Sequence, residues 1–217
     1  MSWLAGARKP RTNKDGARAS RREVLGAMAL GGVVLAVGAS ALGASVARAT
    51  VMVEVPFARL AAESDVIVHG RVLRTGSRLV IDPAGTQPHT LTELDVYEPI
   101  KGDVGDRIVI DEIGGTVQDR GMWIEGTPRY RQGEECVLFL RALPDGTYRT
   151  YAMAQGHFEV RPGVPGVAPS VVRDTSAIGF ASWAHDVMEI QPGAVASMPL
   201  DAFLTYVRDL AASGGAR

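Results

Sequence analysis

The part of the sequence after residue 49 predicts a mainly β fold, either an antiparallel β-barrel or a small sandwich. Segments rich in β-branched residues recur at hairpin-like spacing, and turn signals such as Pro144-Asp145-Gly146 lie between them. The segment 89–97 alternates with the period of two that is typical of a half-solvated strand. Because no crossover helix separates these segments, neighbouring strands are expected to be antiparallel.

Each element of this fold follows from its own residue pattern. Apolar residues at helical spacing predict a short N-terminal helix over 55–63. Strand patterns follow, and Gly76 is expected to break the first of them. The strand at 135–141 is the most apolar, which indicates a place in the core. The expected strands cover residues 65–73 with an extension at 78–81, then 89–97, 107–111, 135–141, 148–153 and 157–160.

Residues 163–217 differ in composition from the barrel region at 50–162, and we expect them to form an excursion followed by a helix. The stretch 161–193 is rich in Pro, Gly, Ser and Ala, and only 167–172 has a short strand pattern. A C-terminal amphipathic helix is expected over 199–212, where Asp201 complements the helix dipole. Its apolar stripe, expected to pack on the barrel, consists of Leu200, Phe203, Leu204, Val207 and Leu210.

Residues 1–49 resemble a twin-arginine export signal. The paired residues Arg21 and Arg22 directly precede an apolar run that extends to residue 46, and this order is the address of the twin-arginine pathway. Ala47 and Ala49 form an A-x-A site, so cleavage is expected before Thr50. We therefore expect a periplasmic or secreted protein that engages the twin-arginine translocase during export. The alternative is an uncleaved signal anchor, since about 20 apolar residues are enough to span a bilayer.

Charge and cysteine content limit the possible functions of the exported part. The residues after Ala49 include 15 basic and 22 acidic side chains, and this acidic balance argues against nucleic-acid binding. Cys136 is the only cysteine, so no intramolecular disulfide can form. Set within an apolar strand, its thiol is expected to be a buried and unreactive group.

The motifs of residues 55–162 resemble a group of uncharacterised exported bacterial proteins. They are ESDVIVHGRVL, TELDVYEPIKGDVGDRIVIDEIGG, GTPRYRQGEECVLFLR and YRTYAMAQGHFEV. The domain of those proteins is similar to the OB-like barrels of netrin and metalloproteinase-inhibitor modules. The resemblance implies an antiparallel OB-like barrel. It also implies, as an alternative function, an inhibitor or accessory protein of a secreted protease.

The loop at 116–132 is the best candidate for a binding site. It is rich in aromatic and arginine residues on an otherwise acidic protein, and these types dominate binding hot spots. Loops of OB-like barrels are also their usual ligand surfaces. In the other interpretation, Trp123 and Tyr130 cap the end of the barrel. The candidate contact residues are Arg120, Trp123, Arg129, Tyr130 and Arg131.

No catalytic or metal motif stands out, so we expect a non-enzymatic module without a cofactor or metal. The four histidines, His69, His89, His157 and His185, do not fall in a close metal-ligand spacing. Ser182, His185 and Asp186 suggest a hydrolase as a weaker alternative, but the G-x-S-x-G turn of a serine nucleophile is absent. The sequence therefore favours an exported interaction module whose partner is an unidentified envelope or extracellular protein.

Overall fold

The computed structural model describes residues 50–82, 85–184 and 187–214. This part of the chain is mainly β and carries two α-helices, α1 (Phe57–Glu63) and α2 (Leu200–Gly214), with a 3-10 turn at Met153–Gly156. Its strands are β1 (Thr50–Val53), β2 (Val66–Asp82), β3 (Gly85–Lys101), β4 (Arg107–Ile113), β5 (Gly115–Val117), β6 (Arg120–Met122), β7 (Glu135–Ala142), β8 (Tyr148–Thr150), β9 (His157–Arg161), β10 (Ser170–Asp174), β11 (Ile178–Ala184), β12 (Val187–Pro192) and β13 (Val195–Pro199).

Five of the strands form a partly closed ring, which confirms the predicted fold class. Strands β2, β3 and β4 make an antiparallel meander, and β7 pairs with the other edge of β2. Strand β8 closes the ring, because it pairs with β7 in antiparallel and with β4 in parallel orientation through Ile110 and Tyr148. A five-stranded, partly open barrel of this kind is OB-like.

The long hairpin of β2 and β3 extends beyond the barrel. Strand β2 continues through Gly76, which pairs with Leu91, so the predicted break at this glycine is wrong. The register instead shifts at three points nearer the start of β2, and such bulges bend and twist a strand so that a sheet can close. At one of them a Cβ on Gly70 would lie only 2.3 Å from the carbonyl oxygen of Asp95, so this close approach requires glycine.

Strand β7 is buried on both faces, which explains its continuous apolar run. Cys136, Leu138 and Leu140 face the barrel interior, in a cluster with residues of β2, β3 and β4. The alternating residues Val137 and Phe139 face a second core on the outside of the barrel. The fold therefore rests on two apolar clusters that share one central strand.

The two helices cover the outer core. Phe203, Leu204 and Val207 of α2 are buried there, so the predicted amphipathic stripe does pack on the barrel. Phe57 of α1 contacts several aromatic rings of this core and stacks on Tyr206, with ring centroids 5.2 Å apart. Neither described helix has the length and hydropathy needed to span a membrane.

The segment before α2 is more regular than its composition indicates. Strands β9, β10 and β13 extend the barrel sheet outward from β7, and Val171 and Val172 of β10 are buried. Strands β11 and β12 form a separate sheet with β1, in which β1 and β11 run parallel. The excursion therefore contains the short strand expected near 167–172, as β10, and three further paired strands that were not expected. Sheet pairing at a distance in the sequence supplies the order that the local pattern lacks.

Candidate functional site

The candidate loop at 116–132 lies at one end of the barrel and includes most of the small hairpin of β5 and β6. A turn with a hydrogen bond from Thr127 N to Ile124 O shapes it, and Ala154 N donates to the carbonyl oxygen of Gly126 at 2.8 Å. Gly126 has a φ of +87°, which side-chain-bearing residues rarely adopt. These contacts fix the loop against the 3-10 turn.

Trp123 and Arg129 form an exposed stacked pair on this loop. The indole is 53% exposed, and the guanidinium carbon of Arg129 lies 3.0 Å from the centroid of its ring. The guanidinium is attracted to the electron-rich face of the indole, and the pair holds two long side chains in one defined position. An ordered aromatic and cationic surface therefore stands at the end of the barrel.

A pocket of about 110 Å³ lies beside this pair. Its wall includes the carboxyl-bearing residue Glu112 at the end of β4 and Thr90 of β3. The backbone turns sharply at Gly114 and Gly115, which both have positive φ, and a Cβ on Gly115 would lie 2.5 Å from the Thr90 hydroxyl. The two glycines thus allow the chain to fold closely over the barrel end and enclose the pocket.

Tyr130 lies beneath the loop instead of on its surface. Only 7% of the residue is exposed, and its hydroxyl hydrogen-bonds to the side chain of Thr150. The Thr150 backbone N–H in turn donates to Glu112 Oε1 at 2.9 Å. Burial, and then the nearby Glu112 carboxylate, raise the pKa of Tyr130 well above its usual value. Tyr130 therefore supports the pocket from below. This position agrees with the interpretation in which Tyr130 caps the end of the barrel.

Glu112 is the most unusual ionisable group of this pocket. It is 5% exposed, and burial raises the pKa of its carboxyl to about 7. The hydrogen bonds from Thr150 and the charge of Arg149 act in the opposite direction, whereas Asp111 adds to the increase. The carboxyl therefore changes protonation near neutral pH, at the wall of a cavity. Sequence reasoning missed it, because the predicted strand ended at residue 111.

The remaining two candidate residues lie elsewhere. Arg120 is exposed on β6, and Arg131 lines a separate surface depression together with Arg71 and Glu134. The structure therefore brings Trp123, Arg129 and Tyr130 to one pocket and leaves Arg120 and Arg131 outside it.

Beside the pocket, a buried hydrogen-bonded pair joins two strands of the barrel. His89 Nδ1 lies 2.6 Å from Asp111 Oδ1, and both residues are almost fully buried. Arg149 donates a hydrogen bond from Nε to the carbonyl oxygen of Asp111. These contacts tie β3, β4 and β8 together and hold the neighbouring Glu112 in place.

A second polar group lies at the junction of β7 and β9. His157 Nε2 is 2.7 Å from Glu134 Oε1, and the Cys136 thiol is close enough that all three donor atoms lie within 4.8 Å of one another. Burial, followed by the charges of Glu134 and Glu135, raises the pKa of the thiol well above its usual value. The expectation that Cys136 is buried is confirmed.

The hydrolase alternative falls largely outside the described residues. Ser182 is exposed within β11 and pairs across the strands with Glu189. His185 and Asp186 lie outside the described ranges, as do Arg21, Arg22, Ala47 and Ala49. The hydrolase and the export signal therefore stay predictions.

Fold and site together define a mainly β protein with an OB-like barrel, whose end carries a pocket beside an exposed tryptophan–arginine pair. No protein-family model matches the chain, and no curated protein matches it significantly.

Proposed function

We propose that the chain is an exported, non-enzymatic binding module that holds a protein partner at the surface formed by Trp123 and Arg129. The observation that carries this proposal is the stacked pair, with a half-exposed indole at the mouth of a pocket. Tryptophan and arginine are the residue types most enriched among the residues that dominate protein interfaces. The pair is already ordered, so little conformational entropy is lost when a partner packs on it.

The size of the pocket favours a protein partner over a small-molecule ligand. Pockets for drug-sized ligands usually have volumes of roughly 300–1,000 Å³. The volume beside Trp123 is about 110 Å³, which is enough for one side chain of a partner. We infer that one polar side chain of the partner enters beside Glu112, while the rest of the interface covers the indole.

The polar wall of the pocket supplies specificity in this proposal. When the Glu112 carboxyl is protonated it can donate a hydrogen bond, and when ionised it can only accept. Since burial raises the pKa of Glu112 to about 7, the two forms interchange near neutral pH. A partner side chain that donates to the carboxylate would bind more tightly above that pH.

Export and cellular location are proposed from the sequence alone. Arg21 and Arg22 before the apolar run, with Ala47 and Ala49 at the cleavage site, support transport by the twin-arginine translocase. The partner would then be an envelope or extracellular protein. The acidic balance after Ala49 makes nucleic acid a poor ligand. Inhibition of a secreted protease, the alternative implied by the resemblance, stays a prediction.

Affinity capture from the cells that naturally produce the chain tests the binding proposal. We expect Trp123→Ala and Arg129→Ala to lose the partner, because truncating a hot-spot residue costs about 2 kcal/mol or more, equivalent to roughly 30-fold in affinity. Trp183→Ala is the matched control, since this tryptophan is 73% exposed on β11, away from the pocket. Quantitative mass spectrometry would identify proteins that depend on Trp123 and Arg129 but not on Trp183. If all three variants capture the same proteins in the same amounts as the unmodified chain, the proposal fails.

A further inference from the structure

The start of strands β7 and β9 places three different metal-ligand types around one point. Cys136 is the second residue of β7, and Glu134 directly precedes the strand. His157 is the first residue of β9 and pairs with Leu138, two residues beyond Cys136, so it shares the face of Cys136. The carboxylate, thiol and imidazole atoms all lie within 4.8 Å of one another.

We propose that Glu134, Cys136 and His157 form a binding site for a divalent transition-metal ion of the zinc class. Thiolate, imidazole and carboxylate are the ligands that Zn²⁺ takes in proteins. Three protein ligands leave a fourth tetrahedral position for water or for a group from another molecule. The inference rests on this group of side chains alone and does not depend on the proposed binding function.

The distances require only a small adjustment for an ion to fit. With metal–ligand bonds of about 2.0–2.3 Å, two ligand atoms on a tetrahedral ion lie roughly 3.3–3.6 Å apart. His157 Nε2 and Glu134 Oε1, now 2.7 Å apart, would separate by about 0.6–0.9 Å, and the thiol, which lies within 4.8 Å of both, would approach them by at most about 1.5 Å. Rotation of side chains at the ends of two strands is enough for both movements.

Neighbouring groups already orient two of the proposed ligands. The second carboxylate oxygen of Glu134, Oε2, accepts a hydrogen bond from the Arg131 backbone N–H at 3.0 Å. The imidazole of His157 packs edge-on against Tyr130, with ring centroids 5.2 Å apart. Hydrogen-bonded carboxylates and fixed imidazole rings are typical of the supporting shell of protein metal sites. The geometry is therefore held by the fold before any ion binds.

A depression with several acidic residues lies beside the proposed site. Glu134 lies in the wall of a surface depression of about 370 Å³ that also includes Glu135 and Glu159. Arg71 and Arg131 line the same depression and offset part of the negative charge. Binding would form metal–sulfur, metal–nitrogen and metal–oxygen bonds and release the thiol proton to solvent. The proton between His157 Nε2 and Glu134 Oε1 would also move, either to Nδ1 of the imidazole or to solvent. Of the three proposed ligands, Glu134 lines this depression, while the Cys136 thiol is fully buried behind it.

Cobalt titration of the purified full chain tests this proposal, because Co²⁺ takes the zinc position and reports its ligands by absorption. The chain is reduced, treated with a chelator and titrated with Co²⁺, and bound Co²⁺ is then displaced with Zn²⁺. We expect one ion per chain, with the intense near-ultraviolet absorption of a thiolate–cobalt bond, and a higher melting temperature in Zn²⁺. An unmodified chain without thiolate–cobalt absorption overturns the proposal, whether or not any variant folds.

Variants assign the ligands and separate the site from unspecific binding. Cys136→Ala is expected to abolish the absorption, and Glu134→Gln and His157→Ala to weaken Co²⁺ and Zn²⁺ binding at least about tenfold. His69→Ala is the matched control, because His69 Nε2 makes a similar contact of 2.9 Å with Glu135 on the neighbouring strand. The control should bind Zn²⁺ like the unmodified chain. Equal weakening in His69→Ala and His157→Ala would contradict the assignment, as would unchanged binding by Glu134→Gln.

Discussion

At the scale of single residues, the burial of Glu112 has consequences for stability. Its carboxyl lies among Thr150, Tyr130, Asp111 and Arg149, and desolvation is the main cause of its raised pKa. Holding such a group inside the protein is unfavourable once it is ionised. A buried carboxyl with a raised pKa at the wall of a cavity is a candidate for a functional group.

The pKa of Glu112 predicts how stability changes with pH. Below about pH 4.5 the carboxyl is protonated in both folded and unfolded chains, and above about 7 it is ionised in both. The free energy of unfolding therefore decreases as pH rises from about 4.5 through about 7. Over this whole range Glu112 accounts for a loss of about 3 kcal/mol. Glu112→Gln should remove this loss, since an amide oxygen can still accept from Thr150 N. Urea unfolding between pH 5 and pH 8 measures the difference.

Asp145→Asn is the control for this experiment. Hydrogen bonds from Thr147 lower the pKa of Asp145, so this carboxyl titrates below the pH window. Its variant should keep the slope of the unmodified chain. A Glu112→Gln variant with that same slope would show that Glu112 does not titrate in this range.

Trp123 and Arg129 were selected from the sequence because their residue types are enriched at interfaces. The structure places the two side chains together, and their role in binding stays a prediction. Glu112 was missed because a charged residue after a strand normally faces water. Its burial arises when Gly114 and Gly115 turn the next segment over the barrel end, and a one-dimensional pattern does not contain that contact.

At the scale of elements, the packing of α2 determines how the outer core is closed. Phe203 is 2% exposed and its ring lies 4.7 Å from that of Phe158 and 5.7 Å from that of Phe57. Tyr206 on the same helix is 46% exposed and contacts Phe57 alone among these rings. The two aromatic residues thus differ mainly in burial.

Truncation of these residues should therefore have unequal effects on stability. Phe203→Ala is expected to lower the free energy of unfolding by about 3–4 kcal/mol, because it removes buried surface and leaves a cavity. Tyr206→Ala should cost about 1 kcal/mol, close to the value of one aromatic pair. Denaturant unfolding of both variants provides the comparison. Equal losses would mean that α2 is not docked through the Phe203 face.

Element prediction was reliable for strands and helices with a strong local pattern and failed where order depends on distant partners. The stripe of α2 and the apolar strand β7 were both recognisable from periodicity. Strands β11 and β12 were not, because their residues are mixed in polarity and β12 is exposed throughout. Strand β11 pairs with β1, which is more than 120 residues earlier, and β12 pairs with β11, so this sheet depends on a tertiary contact. The proximity of Cys136 to His157 is also a tertiary contact, so the local sequence pattern does not predict it.

At the scale of the whole molecule, the order and spacing of the strands in the sequence predicted the barrel class. They did not predict how the ring of strands closes. The parallel contact of β4 with β8 involves only Ile110 and Tyr148, and it depends on bulges in β2 that the sequence does not mark.

The proposed metal site adds a reason for the proposed export route. The twin-arginine pathway carries folded proteins, and a site built across β7 and β9 exists only after folding.

The export proposal predicts the effect of changing the paired arginines. Arg21→Lys combined with Arg22→Lys should retain the precursor in the cytoplasm, because the translocase receptor recognises the arginine pair and not positive charge alone. Arg8→Lys combined with Arg11→Lys is the matched control in the same basic leader. Cell fractionation and immunoblotting show where each variant accumulates. Normal export of the first variant would contradict the assignment of the signal.

The most direct test of the binding proposal is the fluorescence of Trp123 during partner binding. The chain has three tryptophans, so Trp3→Phe with Trp183→Phe leaves Trp123 as the single reporter. Its indole is half exposed, and addition of the captured partner should shift its emission to shorter wavelength and reduce quenching by acrylamide. Arg129→Ala in the same background should weaken both changes. Saturable binding of the partner with unchanged Trp123 emission and quenching would contradict the account.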